Sequence, residues 1–600
     1  MNINNLDSIN EHFKLPIFYN KEKMVLKDNI INDLELVKTV DASNNCIYDY
    51  IFNTKSKENP FTEKIIEQIS KCYTTDKDFL KDTQVMLKTY TPPENKLQSS
   101  EIEIAPSTII ELWKEIKDDT GFKERYHYID WSMWESLNTS ENFLQILSVY
   151  TMASPVISLI TPLIILIIPF FIIKLKGLPV TVTDYIKIIK IVVSNHALGN
   201  IGKLFTDFNS ISSEQKLYIS LSIGFYFFSI YQNILTCIRF HENMKKIHNY
   251  IDTINSYLEQ TIFKMNHLLS YTDNLNTYNE FNKVFKENIQ TLDCFRNKIS
   301  SIGKYKLTLN KLMTIGVILK NFYDFYDNKN LNNAFLYSFG FNGYYHCLEG
   351  LIKNIHLGNI NYTTFSKKKG KNIFKKSYYA PLVNSNPIKN DIKFQKNIII
   401  TGPNASGKTT ILKTTLINII LSQQFGCGFY TSAKLYPYKY IHCYLNIPDT
   451  SGRDSLFQSE VRRCKEIITT ITENSEETHF CVFDELYSGT NPEEAIISST
   501  AFMEYLVKFK NVFCMLTTHF TKVCYNLDSN SKILNFHMDV DKVKESLKYK
   551  YCLKEGISEV KGGIKVLYDM EYPTEIVNSL KTNNQNKLEE KNILIELKNK

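Results

Sequence analysis

The chain has 600 residues, of which 43% are hydrophobic and 22% charged, so it can form several packed domains and is not disordered. The low content of glycine (21) and proline (16) excludes collagen-like and low-complexity classes. The net charge of +7 permits an anionic partner, such as nucleic acid or a membrane surface, without demonstrating one. The 12 cysteines form no CxxC pair or zinc-type cluster, which favours a reducing compartment.

The N-terminal part of the chain changes character sharply after its first quarter. Residues 1–140 have a mixed, mostly helical pattern, and their first residues lack the basic start and apolar core of a signal peptide. Two runs without charged side chains follow, at 142–173 and 217–238. Each run is long enough to cross a bilayer core of about 30 Å as a helix.

Two hypotheses stay open for residues 141–240: a transmembrane helical hairpin, or two buried helices of a soluble domain. Pro155, Pro162 and Pro169 predict an imperfect first helix, and lysines in the connecting loop leave the orientation undefined. If the hairpin crosses a membrane, its two spans place both flanking parts on the same side.

Residues 241–371 carry a helical stripe of apolar residues that recur in steps of three and four. The stripe consists of Ile247, Ile251, Ile254, Leu258, Ile262, Met265 and Leu269. It predicts a long amphipathic helix, paired with a second one near 280–325, in a helical arm or core region. The lysine-rich segment 367–371 is interpreted as a solvated turn, with a phosphate-binding patch as the alternative.

Residues 372–580 differ because short β-rich runs alternate with helical patterns, which predicts an α/β domain with a largely parallel sheet. A polar tail at 581–600 follows. The strand-like run 397–400 leads into a sequence that fits GxxxxGK[ST], and a helical run follows it. The predicted nucleotide-binding residues are Gly402, Pro403, Asn404, Ala405, Ser406, Gly407, Lys408, Thr409 and Thr410.

The chemistry of this motif needs each of its residue types. Glycines permit a tight loop whose N–H groups face the phosphates of ATP, at the positive end of a helix. Lys408 should reach the β- and γ-phosphates, and the Thr409 hydroxyl should bind Mg²⁺.

Two further strands end in polar residues. The run 480–485 ends in Asp484, placed to bind Mg²⁺, and Glu485, placed to deprotonate the attacking water. The run 512–516 leads to His519, which can contact the γ-phosphate or the water. The predicted catalytic residues are therefore Glu485 and His519.

At these motifs the sequence resembles the MutS family. The segments that carry the resemblance are TGPNASGKTT at 401–410, DELYSGT at 484–490, TTHF at 517–520 and DTSGRDSLFQSE at 449–460. The last of these resembles the family's signature loop, which implies that Ser455 completes the ATP site of a partner subunit. The resemblance covers about 375–580.

The resemblance implies an ABC-class P-loop ATPase domain behind an all-α core and arm region, with ATP and Mg²⁺ as cofactors and DNA and a second copy of the chain as partners. Several departures put direct mismatch recognition in doubt. The chain upstream is too short for the usual mismatch-reading and connector domains, and Ala380-Pro381 replaces the family's His-Pro. Tyr487-Ser488 replaces its Gly-Arg pair, and a hydrophobic hairpin is inserted.

The sequence thus predicts a MutS-like ATPase that binds DNA in repair or recombination, on mismatched or branched DNA. The alternative is a membrane-anchored ATPase switch or scaffold without mismatch recognition. For either function we expect an intracellular, membrane-associated protein with its ATPase domain on the cytosolic side. Two spans are too few for a transporter, and the complete set of Lys408, Thr409, Asp484 and Glu485 argues against a catalytically inactive binding module.

Overall fold

The computed structural model describes most of the chain and divides it into two compact units. The described residues are 6–41, 43–55, 58–93, 104–177, 181–195, 212–303, 305, 312–445, 455–543, 546–558, 560, 572–573, 575–576 and 579. Unit 1 consists of residues 1–6, 99–263 and 287–336, and unit 2 of residues 7–98, 264–286 and 337–600.

Helices dominate the first 356 residues. They are α1 (Ile9–His12), α2 (Asp28–Asp33), α3 (Ile47–Phe52), α4 (Pro60–Ile69), α5 (Lys77–Thr89), α6 (Pro106–Lys117), α7 (Phe122–Arg125), α8 (Glu141–Leu175), α9 (Val182–Asn195), α10 (Ser213–Thr272), α11 (Asn279–Ile299), α12 (Ile315–Asp327) and α13 (Lys329–His356). Side-chain caps begin several of them: Asn59 accepts N–H bonds at the start of α4, and Asp76 does so at the start of α5.

Strands are concentrated in the C-terminal part. They are β1 (Lys23–Val25), β2 (Cys72–Thr74), β3 (Asn361–Phe365), β4 (Asn372–Ser377), β5 (Asn390–Phe394), β6 (Asn397–Thr401), β7 (Cys427–Gly428), β8 (Ser432–Leu435), β9 (Tyr440–Tyr444), β10 (His479–Asp484), β11 (Val512–Thr518), β12 (Ile533–Val543) and β13 (Ser546–Glu555). The helices among them are α14 (Lys408–Gln424), α15 (Leu456–Glu473), α16 (Pro492–Leu506) and α17 (Thr521–Leu527).

In unit 1, α8 begins in close contact with α12. The Gln145 side chain donates to the carbonyl of Leu312 at 2.8 Å and accepts the N–H of Gly316 at 2.9 Å. A Cβ at position 316 would lie 2.3 Å from the Glu141 carbonyl oxygen. Glycine therefore permits a backbone approach that any larger residue would prevent.

The helix α8 continues without a break through its three prolines, where the sequence predicted an imperfect helix. Pro155 has no N–H to donate to the carbonyl of Thr151, but the Ser154 hydroxyl donates to that carbonyl at 2.9 Å. The Ser158 hydroxyl likewise donates to the carbonyl of Ser154 at 2.8 Å. Hydroxyl groups inside the helix thus satisfy backbone acceptors near the first proline.

The helix α10 joins the second uncharged run and the amphipathic stripe into one helix of 60 residues. It packs antiparallel to α8, because later positions on α8 pair with earlier positions on α10. Asn233 donates to the Ser158 hydroxyl at 2.5 Å, and the Cys237 thiol contacts the carbonyl of Met152 at 3.7 Å. Polar bonds of this kind hold helices together where apolar packing alone has little driving force.

Large apolar side chains point away from the described part of the protein along both of these helices. Ile167 is 52% exposed and Phe225 is 70% exposed. Others that are exposed include Val156, Leu159, Ile160, Phe171, Ile172, Leu221, Phe227, Phe228, Tyr231 and Ile238. The stretches Glu141–Ile160 and Lys216–Thr272 are long and apolar enough to cross a membrane, by length and composition.

In unit 2, small helices near the N-terminus pack on the second half of α13 and on the C-terminal domain. A Cβ at Gly350 of α13 would lie 1.5 Å from the Phe52 carbonyl oxygen, so α3 and α13 are in backbone contact. Gln424, at the end of α14, donates to the carbonyls of Ile69 and Cys72, each at 2.9 Å. The helix that follows the phosphate loop is therefore fixed to the helical region of the same unit.

The main sheet of unit 2 has the strand order β13-β12-β6-β11-β10-β9. All neighbours from β12 to β9 are parallel, and β12 and β13 form an antiparallel hairpin. The register pairs Asp484 with Thr517 and Thr518 with Thr401, so the carboxyl ends of β10, β11 and β6 meet at one edge. The predicted α/β domain with a largely parallel sheet, behind a helical region, is confirmed.

A second sheet, with the order β5-β4-β8-β3-β7, is mostly antiparallel. It begins with β3 at residue 361, upstream of the predicted start of the α/β region. Phe374, Ile392 and Phe394 are buried on its inner face, and the Phe394 ring packs edge-on against Phe480 of the main sheet at 5.3 Å. The two sheets therefore share a core.

Candidate nucleotide site

The loop between β6 and α14 has the backbone that a phosphate-binding loop needs. Gly407 has a φ of +94°, and a Cβ there would lie 3.2 Å from the Tyr551 ring, so glycine fits the position best. Ala405 also has a positive φ, of 62°. The Ser406 hydroxyl is buried and has no hydrogen-bond partner among the described residues, which leaves it available to a bound phosphate.

Lys408 is the first residue of α14 and is buried. Its ammonium group donates to the carbonyls of Gly402 at 3.0 Å and Pro403 at 3.3 Å, and it lies 3.6 Å from the Glu485 carboxylate. A buried ammonium needs such partners, and a nucleotide phosphate in the loop would offer it a stronger one.

Asp484 ends β10 between the side chains of two threonines. Thr409 donates to one of its carboxylate oxygens at 2.7 Å, and Thr517 of the neighbouring strand donates to the other. A hydroxyl and a carboxylate side by side fit Mg²⁺, which takes few protein oxygens and completes its shell with phosphates and water. Within the described ranges, no group of three or more His, Cys, Asp or Glu residues could hold a metal by itself.

Glu485 follows Asp484 with a φ of 51°, in a region of backbone space that non-glycine residues rarely occupy. Its second carboxylate oxygen lies 3.5 Å from the Nδ1 atom of His519, and its N–H donates to the Thr517 carbonyl at 3.0 Å. The hydrogen bond from His519 lowers the pKa of Glu485, burial acts in the opposite direction, and the charge of Lys408 lowers it further. Glu485 is therefore ionised at neutral pH and can accept a proton.

These residues open on a cavity of about 700 Å³. Asn404, Lys408, Thr409, Asp484 and Glu485 form its polar end. Tyr378, Tyr379, Leu382, Ile388, Met538 and Tyr551 line it elsewhere. The sequence did not predict this second set, because its members come from the β4–β5 connection and the β12–β13 hairpin. The adjacent tyrosines at 378 and 379 were the one local signal, since aromatic pairs outside a regular core pattern suit a planar ligand.

Ser455 does not line this cavity. It is exposed and caps the N-terminus of α15, where its hydroxyl accepts the N–H of Gln458 at 3.3 Å. The residues 446–454, which include the first half of the predicted signature loop, lie outside the described residues, as do residues 581–600.

Glu460 of α15 has a structural role that the sequence did not predict. Its carboxylate is buried and accepts hydrogen bonds from the Ser488 hydroxyl at 3.1 Å and from the Gly489 N–H at 3.2 Å. The helix that begins at Ser455 is thereby connected to the loop that follows Glu485.

Fold and site together define an α/β domain with the parts of an ATP-binding site. Residues 398–589 match the family model of MutS domain V. The chain is 32% identical over 191 residues to MutS protein homolog 4 of Mus musculus, an alignment that covers 30% of this chain and 19% of that protein. It is 30% identical over 186 residues to the DNA mismatch repair protein MutS of Persephonella marina, covering 30% and 21%.

A third relative, the endonuclease MutS2 of Lactococcus lactis subsp. cremoris, is 29% identical over 208 residues, covering 33% of this chain and 25% of that protein. The matched part thus spans about a fifth to a quarter of the length of these relatives. The domain model and the relatives show that this part of the chain is similar to proteins of the MutS family.

The contact between His519 and Glu485 generates a pH prediction. Because the His519 hydrogen bond lowers the pKa of Glu485, His519→Gln should raise that pKa towards its ordinary value of 4.5. A base must be ionised to work, so the acid limb of kcat/KM for ATP should move to higher pH. The control is His356→Gln, an exposed position on α13. An acid limb that stays at the wild-type pH in His519→Gln would contradict this role.

Proposed function

We propose that this chain is a MutS-like ATPase that binds DNA in repair or recombination, on mismatched or branched DNA, and hydrolyses ATP with Mg²⁺. The observation that carries the proposal is the convergence of Lys408, the Thr409–Asp484 pair and Glu485 on one cavity. His519 contacts the Glu485 carboxylate beside this cavity. The proposal that the chain binds DNA rests on its relatives, which include proteins named for DNA mismatch repair.

In the proposed reaction the loop amides and the N-terminus of α14 bind the phosphates of ATP, and Lys408 exchanges its carbonyl partners for phosphate oxygens. Thr409 and Asp484 would hold Mg²⁺, which would neutralise charge on the phosphates. Glu485 orients the attacking water and takes its proton, and His519 lowers the pKa of Glu485 and holds its carboxylate in place. The aromatic and apolar side chains around Tyr378 and Tyr551 provide surfaces for the planar adenine ring of ATP.

Turnover should depend on the Glu485 carboxylate. Glu485→Gln should retain ATP binding and slow hydrolysis by about 10² or more, because general-base catalysis contributes typically 10²–10⁴. Lys408→Ala should weaken ATP binding itself. Glu504→Gln, on the exposed side of α16, is the matched control and should behave as wild type. Single-turnover hydrolysis and nucleotide binding separate the two effects, and wild-type hydrolysis by Glu485→Gln would remove that residue from the role of base.

We further propose that the site is completed across a homodimer. Ser455 lies outside the cavity of its own chain, is exposed, and stands at the N-terminus of α15, where N–H groups and the helix dipole favour an anion. Ser455 of the partner subunit would then contact the γ-phosphate, and the Glu460 bonds would connect that contact to the loop after Glu485.

Subunit mixing tests this arrangement. Ser455→Arg and Lys408→Ala homodimers should each be inactive. A random equal mixture should recover about a quarter of wild-type turnover, because about half of the dimers are mixed and one of their two sites is intact. Thr472→Arg, at the far end of α15, is the control for an added arginine and should not impair turnover. Absence of recovery in a mixture that demonstrably forms mixed dimers would rule out the composite site.

A second candidate function is a membrane-anchored ATPase switch or scaffold without mismatch recognition. The observation that favours it is the outward-facing apolar surface of α8 and α10, together with the polar Asn233–Ser158 bond between them. In this proposal the protein is intracellular, residues 141–240 form a transmembrane hairpin, and the ATPase domain lies on the cytosolic side.

Membrane extraction distinguishes the anchored form. The full chain should stay with membranes after high-salt and alkaline washing, treatments that remove electrostatic attachment. Ile160→Asp with Ile167→Asp should release it, because each charge near a helix centre costs about 3 kcal/mol on insertion scales. Ile497→Asp, an exposed apolar position on α16, should leave the distribution unchanged. A full chain that is soluble and monodisperse without detergent would contradict the anchor and favour a soluble DNA-acting protein.

A further inference from the structure

The second sheet of unit 2 carries a concentrated positive charge on its outer side. Residues 367–396 contain nine lysines, no arginine and a single acidic residue, Asp391. The lysines are Lys367, Lys368, Lys369, Lys371, Lys375, Lys376, Lys389, Lys393 and Lys396. All but the half-buried Lys396 are exposed. A net charge of +7 for the whole chain therefore conceals a local excess of eight positive charges over 30 residues.

Strand pairing places Lys375 and Lys393 on one face of the sheet with a further lysine, Lys434 of β8. Ile373 of β4 pairs with Lys393 of β5 on one side and with Lys434 of β8 on the other. Neighbouring strands are about 4.8 Å apart, so the backbones at Lys393 and Lys434 lie about 10 Å apart across the sheet. We call this outer surface of β5, β4 and β8, with the 367–371 turn, the lysine face.

Two adjacent lysines of β4 and one lysine of α5 widen the lysine face. A bulge in β4 leaves Lys375 and Lys376 both exposed. On the β3 side, Lys88 of α5 lies 4.6 Å from the centre of the Tyr362 ring. The charge thus covers the width of the sheet and is not confined to a single turn.

Nearby acidic groups do not neutralise the lysine face. The Asp391 carboxylate accepts the backbone N–H of Lys376 at 2.8 Å and forms no salt bridge within the described part of the chain. The same holds for the lysines: none of those on the face lies within salt-bridge distance of a described carboxylate. Lys369 donates to the backbone carbonyl of Glu476 and Lys389 lies over the Tyr378 ring, contacts that leave both charges in place.

We infer that the lysine face binds the phosphate backbone of duplex DNA; this inference rests on the proposed DNA-binding function. Duplex DNA carries one negative charge per about 1.7 Å of its axis, so a face of this width meets several phosphates. Lysines act as point charges and lack the fork that arginine uses to read bases, so the contact is independent of sequence. On β5, β4 and β8 its outward positions hold Lys, Ser, Asp and one half-buried Ile, without the large apolar side chains that insert into a bilayer.

The test is the salt dependence of DNA binding by the full chain in a neutral detergent, measured by fluorescence anisotropy with a labelled duplex. The test variant replaces Lys368, Lys371, Lys375, Lys393 and Lys434 with Gln. The control replaces five other exposed lysines of unit 2, Lys21, Lys71, Lys465, Lys510 and Lys522, and therefore has the same net charge. ATP binding should be unchanged in both, because none of these residues lines the nucleotide cavity.

We expect the slope of log affinity against log salt, between about 50 and 200 mM, to fall by about four in the test variant and to change little in the control. The affinity at about 100 mM salt should fall at least tenfold in the test variant alone.

Equal losses of DNA affinity in both variants, or no loss in either, would overturn the lysine face as the DNA contact while leaving DNA binding itself established. If the wild-type chain binds no DNA, the proposed DNA function is wrong and the inference with it. If the test variant loses binding to phosphatidylserine vesicles but still binds DNA as the wild type does, the lysine face binds a membrane surface instead of DNA.

Discussion

The Asp484 carboxylate is the constraint on which the nucleotide site depends. It accepts hydrogen bonds from Thr409 at the start of α14 and from Thr517 on the neighbouring strand, and so joins three elements at one point. The parallel register makes this possible, because β10 and β11 reach the same edge of the sheet together. The next residue, Glu485, lies between Lys408 and His519. A single side chain therefore fixes the positions of the residues proposed to bind Mg²⁺ and of the residue proposed as the base.

The loop after Glu485 is held from the other side by α15. Glu460 is buried, and leaving either of its two hydrogen bonds unmade would cost the full desolvation of a charged group. The N-terminus of α15 cannot shift by an ångström or more without breaking these bonds or moving the loop. Glu485 begins that loop with a φ of 51°, a backbone conformation that non-glycine residues rarely adopt and that the surrounding contacts must hold in place. A contact at Ser455 would thus act on the base through two hydrogen bonds.

The sequence predicted those parts of the site that lie on consecutive residues. Loop, lysine and threonine follow one strand directly, and Asp484 and Glu485 follow another, so local pattern and parallel topology suffice to bring them together. It did not predict the contributions of Tyr378 and Tyr551, because these depend on how an antiparallel sheet and a hairpin fold over the loop. Glu460 was recognised within a motif, but its bonds to Ser488 and Gly489 follow from tertiary packing. Similarly, composition suggested that Pro155 weakens its helix, whereas a neighbouring serine supplies the missing donor.

The sequence also did not predict how the backbone continues from the apolar hairpin into the helical arm. Composition changes abruptly at Arg239, where charged residues resume, and this suggested two separate elements. The backbone does not change there: α10 continues from the exposed Phe225 through the buried Ile247 and Ile251 without a turn. A rise of about 1.5 Å per residue makes this helix about 90 Å long. Because a continuous helix resists bending far more than a loop does, the apolar half and the buried half of unit 1 must tilt and rotate together. Any environment that fixes the apolar surface, lipid or protein, also fixes the orientation of the buried Ile247 and Ile251 in the same unit.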